Sequence, residues 1–263
     1  MTATPTVDLR EAVRARPLVL PATSWLTDAE LGACREHWRV HMAAELASAR
    51  VFAGLVPQMM TASLDAGLIR DVAEMIRQEL DHGVLSARVY AALGGDPRTE
   101  LPPLPPVPDH AGATPIETVL RNVIAISCCG ETLAVAVIGS ERERATLAPL
   151  HETLTTILAD EVGHARFGWT LLRDVAPGLD AQTKRRISAY LVAIFARDLA
   201  AVRPVRDRPP VSDAALAIGA LDGPLAWQTL LETLREVTVP GLERLGFHAS
   251  WALERAMAEG SPS

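Results

Sequence analysis

Asp160-Glu161-Val162-Gly163-His164 and Gln78-Glu79-Leu80-Asp81-His82 are the stretches from which the rest of the sequence can be read. Each contains Glu-x-x-His, a spacing that puts both side chains on one face of a helix. Each pair also follows a further glutamate: Glu45 lies 34 residues before Glu79, and Glu131 lies 30 before Glu161. If each unit is an antiparallel helix hairpin, these residues stand at equal height only where the turn falls midway, near residues 62 and 146. Turn signals sit there, in Ser63-Leu64-Asp65-Ala66-Gly67 and in Thr146–Pro149. With a rise of about 1.5 Å per residue, each glutamate is then about 23–25 Å from its turn, deep in a bundle.

The helix faces agree. On the helix of the second Glu-x-x-His, the residues Leu154, Ile157, Leu158, Glu161, His164, Ala165 and Gly168 form one stripe. On the helix before it the stripe is Ile124, Ser127, Cys128, Glu131, Ala134, Val135 and Ile138. Unpaired carboxylates on such apolar stripes would cost several kcal/mol each. Six side chains, Glu45, Glu79, His82, Glu131, Glu161 and His164, would lose that penalty by ligating two cations. Four carboxylates and two imidazoles suit iron or manganese and make a poor structural zinc site.

Working outward, helix boundaries are well marked. Thr27-Asp28-Ala29-Glu30 is a capping box opening a periodic segment to about Met60. A second helix runs to about Leu93 and ends at Gly94-Gly95. Residues 96–113 carry six prolines, including Leu101-Pro102-Pro103-Leu104-Pro105-Pro106, and predict an extended connector. Thr114-Pro115-Ile116-Glu117 opens a third helix to about Ala145, and a fourth runs from Leu147–Pro149 to Ala176. Pro177-Gly178 breaks the chain and Asp180 caps a fifth helix to about Val202. Pro204, Pro209 and Pro210 mark another linker, followed by a short helix from Ser212 and a longer one from Gly223-Pro224, interrupted near Pro240-Gly241. No strand pattern is convincing, so the chain reads as all-α.

Composition sets limits. The chain has 263 residues, a net charge of −7 and 49% hydrophobic content. That excludes disorder and gives no basic footprint for nucleic acid. Cys34, Cys128 and Cys129 are no disulfide framework, which makes a reducing cytoplasm the expected compartment. Met1 to Asp28 shows no apolar signal region. Val123 to Gly139 is nearly apolar, but Glu131 at its centre favours a buried core helix over a membrane span.

Glu45, Glu79-x-x-His82, Glu131 and Glu161-x-x-His164 together resemble the di-metal carboxylate signature of the ferritin-like superfamily, over about residues 27–176. The resemblance implies a four-helix bundle of two antiparallel hairpins joined by a long crossover, here with additional C-terminal helices. It divides the chain into an N-terminal extension (1–26), a di-metal bundle with a fifth helix (27–203) and a C-terminal helical extension (204–263). It also implies Asp160 as the partner that holds His82, and Gln78 could serve His164 in the same way. Rubrerythrins place an extra glutamate where this chain has Ala134. Arylamine N-oxygenases place a histidine where it has Ile157. Multicomponent monooxygenases and desaturases place a threonine where it has Ala134 and Val135.

Other residues carry weaker signals. Cys128, one turn before Glu131, either tunes the metals or is a small core residue. Gly83, Ser86, Ala134, Ala165 and Gly168 either leave volume for a substrate or permit close helix packing. His37 and His41 share a face with Glu45; a third metal or a proton path is conceivable there, although unliganded histidines are commoner. Glu141-Arg142-Glu143-Arg144 reads as a solvated helix end.

The expected activity is that of an O₂-dependent di-iron oxidoreductase that hydroxylates, desaturates or N-oxygenates a small, largely apolar substrate. Fe/Fe is the expected pair, with Mn/Fe and Mn/Mn as alternatives, and an external electron donor is implied. The alternative is a ferroxidase, iron-storage or peroxide-scavenging protein. The tail helices could roof the pocket, form a homodimer interface or bind a reductase.

Overall fold

The computed structural model describes residues 5–21, 23–101, 103, 105–220 and 222–259. Pro102 and Leu104 of the proline-rich connector lie outside the described residues. Those described are helical apart from connectors and one short ladder, in which β1 (Thr6–Asp8) pairs antiparallel with β2 (Arg98–Glu100). This ladder is a small addition to a fold that is otherwise all-α, as the sequence predicts. Three-residue strands in distant parts of the chain leave no alternation to detect.

After α1 (Arg10–Ala15), α2 spans Asp28–Thr61 and α3 spans Ala66–Ala92. The Thr27 hydroxyl accepts from the Glu30 amide at 3.3 Å, and the Thr27 amide donates to Glu30 Oε2 at 2.8 Å. This reciprocal cap satisfies two amides that the first helical turn leaves open. Gly94, at φ +88°, takes the left-handed position that ends α3.

The next helix is continuous in sequence but changes character. It comprises α4 (Pro115–Val123), a π-helical segment (Ile124–Glu131) and α5 (Thr132–Arg144). The Thr132 hydroxyl donates to the Ser127 carbonyl five residues back, at 3.4 Å. A π segment holds more residues per turn than an α-helix and is frequent at functional sites. Pro115–Arg144 is apolar and long enough to cross a membrane, yet Glu117, Asn122 and Glu131 on it are buried, and it is a core helix. Then come α6 (Ala148–Val175), α7 (Ala181–Arg206), α8 (Asp213–Leu216), α9 (Gly223–Glu232), a second π segment (Thr233–Thr238), α10 (Val239–Arg244) and α11 (Ala249–Glu259).

Two boundaries differ from the sequence reading. Helix α7 continues to Arg206 with Pro204 inside it. The proline removes the bond its amide would make to the carbonyl four residues back, and the helix ends two residues after it. Near Pro240 the chain keeps its helical course, and the π segment takes up the irregularity before it.

The described residues group into two compact units. One is drawn from Met1–Pro108, Ile138–Asp160 and Val211–Leu221, the other from Asp109–Val137, Glu161–Pro210 and Asp222–Ser263. In the first, α2 and α3 form an antiparallel hairpin with the end of α5 and the start of α6 beside it. Trp38 is fully buried there, its indole N–H donating to the Ile218 carbonyl at 2.8 Å. In the second, α7 packs on α9 and α11 around Leu191, Phe195, Leu230, Leu242 and Phe247. Glu117, fully buried, joins α4 to α7 through Arg121 and Arg186, whose Nη2 atoms each lie 2.5 Å from its carboxylate.

Candidate metal centre

The six candidate side chains lie far from the hairpin turns. Glu45 comes from the middle of α2, Glu79 and His82 from α3, Glu131 from the last position of the π segment, and Glu161 and His164 from α6. All six are at most 7% exposed. Two groups of four donors result: Glu45, Glu79, His82 and Glu161, and Glu79, Glu131, Glu161 and His164. Within each group, one ligand atom per residue lies within 4.8 Å of the others. Glu79 and Glu161 belong to both groups, the arrangement expected of carboxylates that bridge two ions. The donor set is all oxygen and imidazole nitrogen, which fits iron or manganese.

The His82 ring is oriented from behind. His82 Nε2 lies 3.1 Å from Asp160 Oδ2, while its Nδ1 faces Glu45 Oε2 at 3.8 Å. Gln78 Nε2 donates to the other Asp160 oxygen at 2.9 Å. A carboxylate accepting one ring N–H leaves the opposite nitrogen, Nδ1, as the lone pair available to a metal. His164 Nδ1 lies 3.4 Å from Glu161 Oε2, its neighbour one turn earlier.

The small residues near these donors have definite surroundings. A Cβ on Gly168 would lie 2.4 Å from Ser127 Cβ and 3.2 Å from the Cys128 amide nitrogen. A Cβ on Gly83 would meet Leu46 Cδ2 at 3.0 Å. At both positions the neighbouring helix fills the space, so the glycines permit close approach of backbones. Ala165 is buried beside His164, and Ala134 is half-buried on α5. Ser86, one turn beyond His82, is fully buried, and its hydroxyl has no hydrogen-bond partner. Burial pushes the Cys128 thiol far up, so it stays protonated among apolar neighbours.

One cluster escaped the sequence reading. Glu141, expected at a solvated helix end, is a nearly buried residue 3.1 Å from His37 Nε2 and 3.5 Å from His41 Nε2. The signal available was the pairing of His37 with His41 at i, i+4. Their acidic partner lies on another helix, and no local pattern identifies it. Burial opposes the charging of His41, but the Glu141 and Glu45 carboxylates outweigh it and hold the imidazole at about 10.

No family model matches the chain, and no curated protein matches it in sequence. Among solved structures it is similar to a Synechococcus protein with aldehyde deformylating oxidase activity. The TM-score is 0.62 at 20% identity, over 89% of this chain and 98% of that one.

Proposed function

We propose, from the ferritin-like fold of this chain and its two overlapping donor groups, that it is an O₂-dependent di-iron oxidoreductase. Glu45, Glu79, His82, Glu131, Glu161 and His164 would hold the pair, with Glu79 and Glu161 shared between the ions. The observation that carries this reading is the convergence of four carboxylates and two imidazoles that are almost completely buried. Bound Fe(II) would supply the electrons and open coordination positions that activate O₂.

The chain's own residues do the rest. Asp160, steadied by Gln78, fixes the tautomer and plane of His82. Leu154 and Ile157, fully buried on α6, keep water away from that helix face. The substrate is read as a small, largely apolar organic molecule. An aldehyde is the first class to try, given the activity named for the structurally similar protein. An external donor supplies further electrons. The three cysteines are free and buried, in keeping with a cytoplasmic location.

Two measurements test the reading. The apo chain loaded anaerobically with Fe(II) should retain two ions at this centre, counted by elemental analysis as the ions lost in Glu79→Ala. On exposure to O₂ with a reductant, oxygen uptake should rise with a suitable aldehyde, and formate should appear as the formyl carbon is removed. Uptake indifferent to every organic compound supplied would favour iron storage or peroxide scavenging instead. Asp160→Asn should weaken iron binding about 10–100-fold while leaving helicity unchanged, as judged by competition with a chromophoric chelator. Unchanged affinity would remove Asp160 from the assignment.

A further inference from the structure

The face of α2 that carries Glu45 also carries His37 and His41, two turns and one turn earlier, and neither histidine belongs to the two donor groups above. They face Glu141 of α5, and the three residues form a separate cluster whose ligand atoms all lie within 4.8 Å of one another. We propose that His37, His41 and Glu141 form a third metal site, for one divalent transition ion of the zinc, iron(II) or cobalt(II) class.

The geometry is that of ligands converging on a point. Bonds of about 2.0–2.2 Å in a tetrahedral site place neighbouring ligand atoms about 3.3–3.6 Å apart. Here His37 Nε2 is 3.1 Å from Glu141 Oε1, and His41 Nε2 is 3.5 Å from Glu141 Oε2. Both imidazoles present the same ring nitrogen. The i, i+4 spacing brings the rings together on one helix face, with centroids 4.7 Å apart.

A purely hydrogen-bonded triad accounts for this less well. His37 Nε2 is buried and makes no hydrogen bond despite its closeness to the carboxylate, and Glu141 Oε2 makes none either. Buried polar atoms without a well-formed hydrogen bond are costly, a penalty that coordination would relieve. His41 also has the support usual behind a metal-bound imidazole. Its other nitrogen, Nδ1, faces a carboxylate oxygen, Glu45 Oε1, at 3.6 Å. Two imidazoles and one carboxylate select a borderline divalent ion over calcium or magnesium, and three protein ligands leave a position open to water.

Cobalt(II) is a suitable probe, because its visible absorption reports coordination independently of turnover. The apo full-length chain is titrated anaerobically with Co(II), and retained ions are counted after gel filtration. Three ions per chain are expected for the wild type, and two for both His37→Gln and Glu141→Gln, with loss of one set of visible bands. Glu141→Gln is nearly isosteric and keeps the test valid if His37→Gln folds poorly. Glu79→Ala should release the inner pair and keep the outer ion. Equal retention by the wild type and both outer-site variants overturns the proposal. A wild type that holds a single ion, lost in His37→Gln and kept in Glu79→Ala, would support the third site and sink the inner pair. Binding of no ion at all sinks both.

Discussion

Glu161→Gln is expected to abolish binding of both inner ions, whereas Glu45→Ala should leave one behind. Glu161 and Glu79 belong to both donor groups, while Glu45 and His82 occur only in one, and Glu131 and His164 only in the other. A carboxamide has one good ligand oxygen and no charge, so it cannot bridge two cations. Elemental analysis after Fe(II) loading reads the outcome directly. Loss of a single ion from Glu161→Gln would disprove the shared role.

The same variant carries a stability signature of opposite sign. Without metal, four buried carboxylates crowd one another, and removing one charge without opening a cavity relieves that strain. Metal-free Glu161→Gln should therefore melt above the metal-free wild type, by about 2–8 °C for a gain of about 1–2 kcal/mol. Fe(II) should reverse the order. An ion at about 100 times its Kd adds about 2.7 kcal/mol, or about 5–10 °C, to the chain that binds it. Thermal melts with and without Fe(II) would show the crossing.

The second large effect concerns folding alone. Glu117→Gln should destabilise the chain by about 2–3 kcal/mol at neutral pH, lowering Tm by about 4–12 °C. Glu117 is fully buried and clasped by the Arg186 fork and by Arg121. Gln would turn an amide donor toward two guanidinium groups that only donate. Losing one partner of a buried pair costs about 3–5 kcal/mol, and the lower figure applies because Arg186 is 38% exposed and can turn to water. Arg186 above all, with Arg121, holds the Glu117 carboxyl below its ordinary value. Its ionisation therefore favours the folded state, fully so above the unfolded pKa of about 4.3. That contribution fades as pH falls through the lowered folded value. The gap between wild type and variant should be constant from pH 7 to about 5.5 and shrink below about pH 4. A gap of equal size at pH 3.5 would contradict this account.

Much of this architecture could be read from residue types. Thr27 and Glu30, Thr114 with Pro115, and Asp180 begin helices where their side chains can cap open amides. The equal distance of Glu45 and Glu79 from one turn, and of Glu131 and Glu161 from the next, brought the donors to one level. The remaining features depend on partners distant in sequence or on backbone geometry that side chains do not announce. Between Ile124 and Glu131 every position but Ser127 and Gly130 is apolar, sulfur-bearing or the candidate donor itself, so a 3.6-residue period and a wider one fit equally well. Glu141 looks solvated within Glu-Arg-Glu-Arg, and only the two histidines of α2 make it an interior residue. Gly83 and Gly168 left open volume and close contact as equal readings, and the contacts around them decide for packing.

The π segment has a consequence for how one helix serves two partners. Glu117 and Glu131 are 14 residues apart, and an unbroken α-helix would set them about 40° from each other around its axis. Yet Glu117 turns to Arg186 on α7, and Glu131 turns to Glu161 and His164 on α6. Each residue inserted into a helix advances the phase of everything beyond it by about 100°. The segment between them thus works as a phase shifter, setting the azimuth of Glu131 independently of the anchor at Glu117. Deleting a single residue there would yield a more regular helix with its carboxylate aimed away from the other donors.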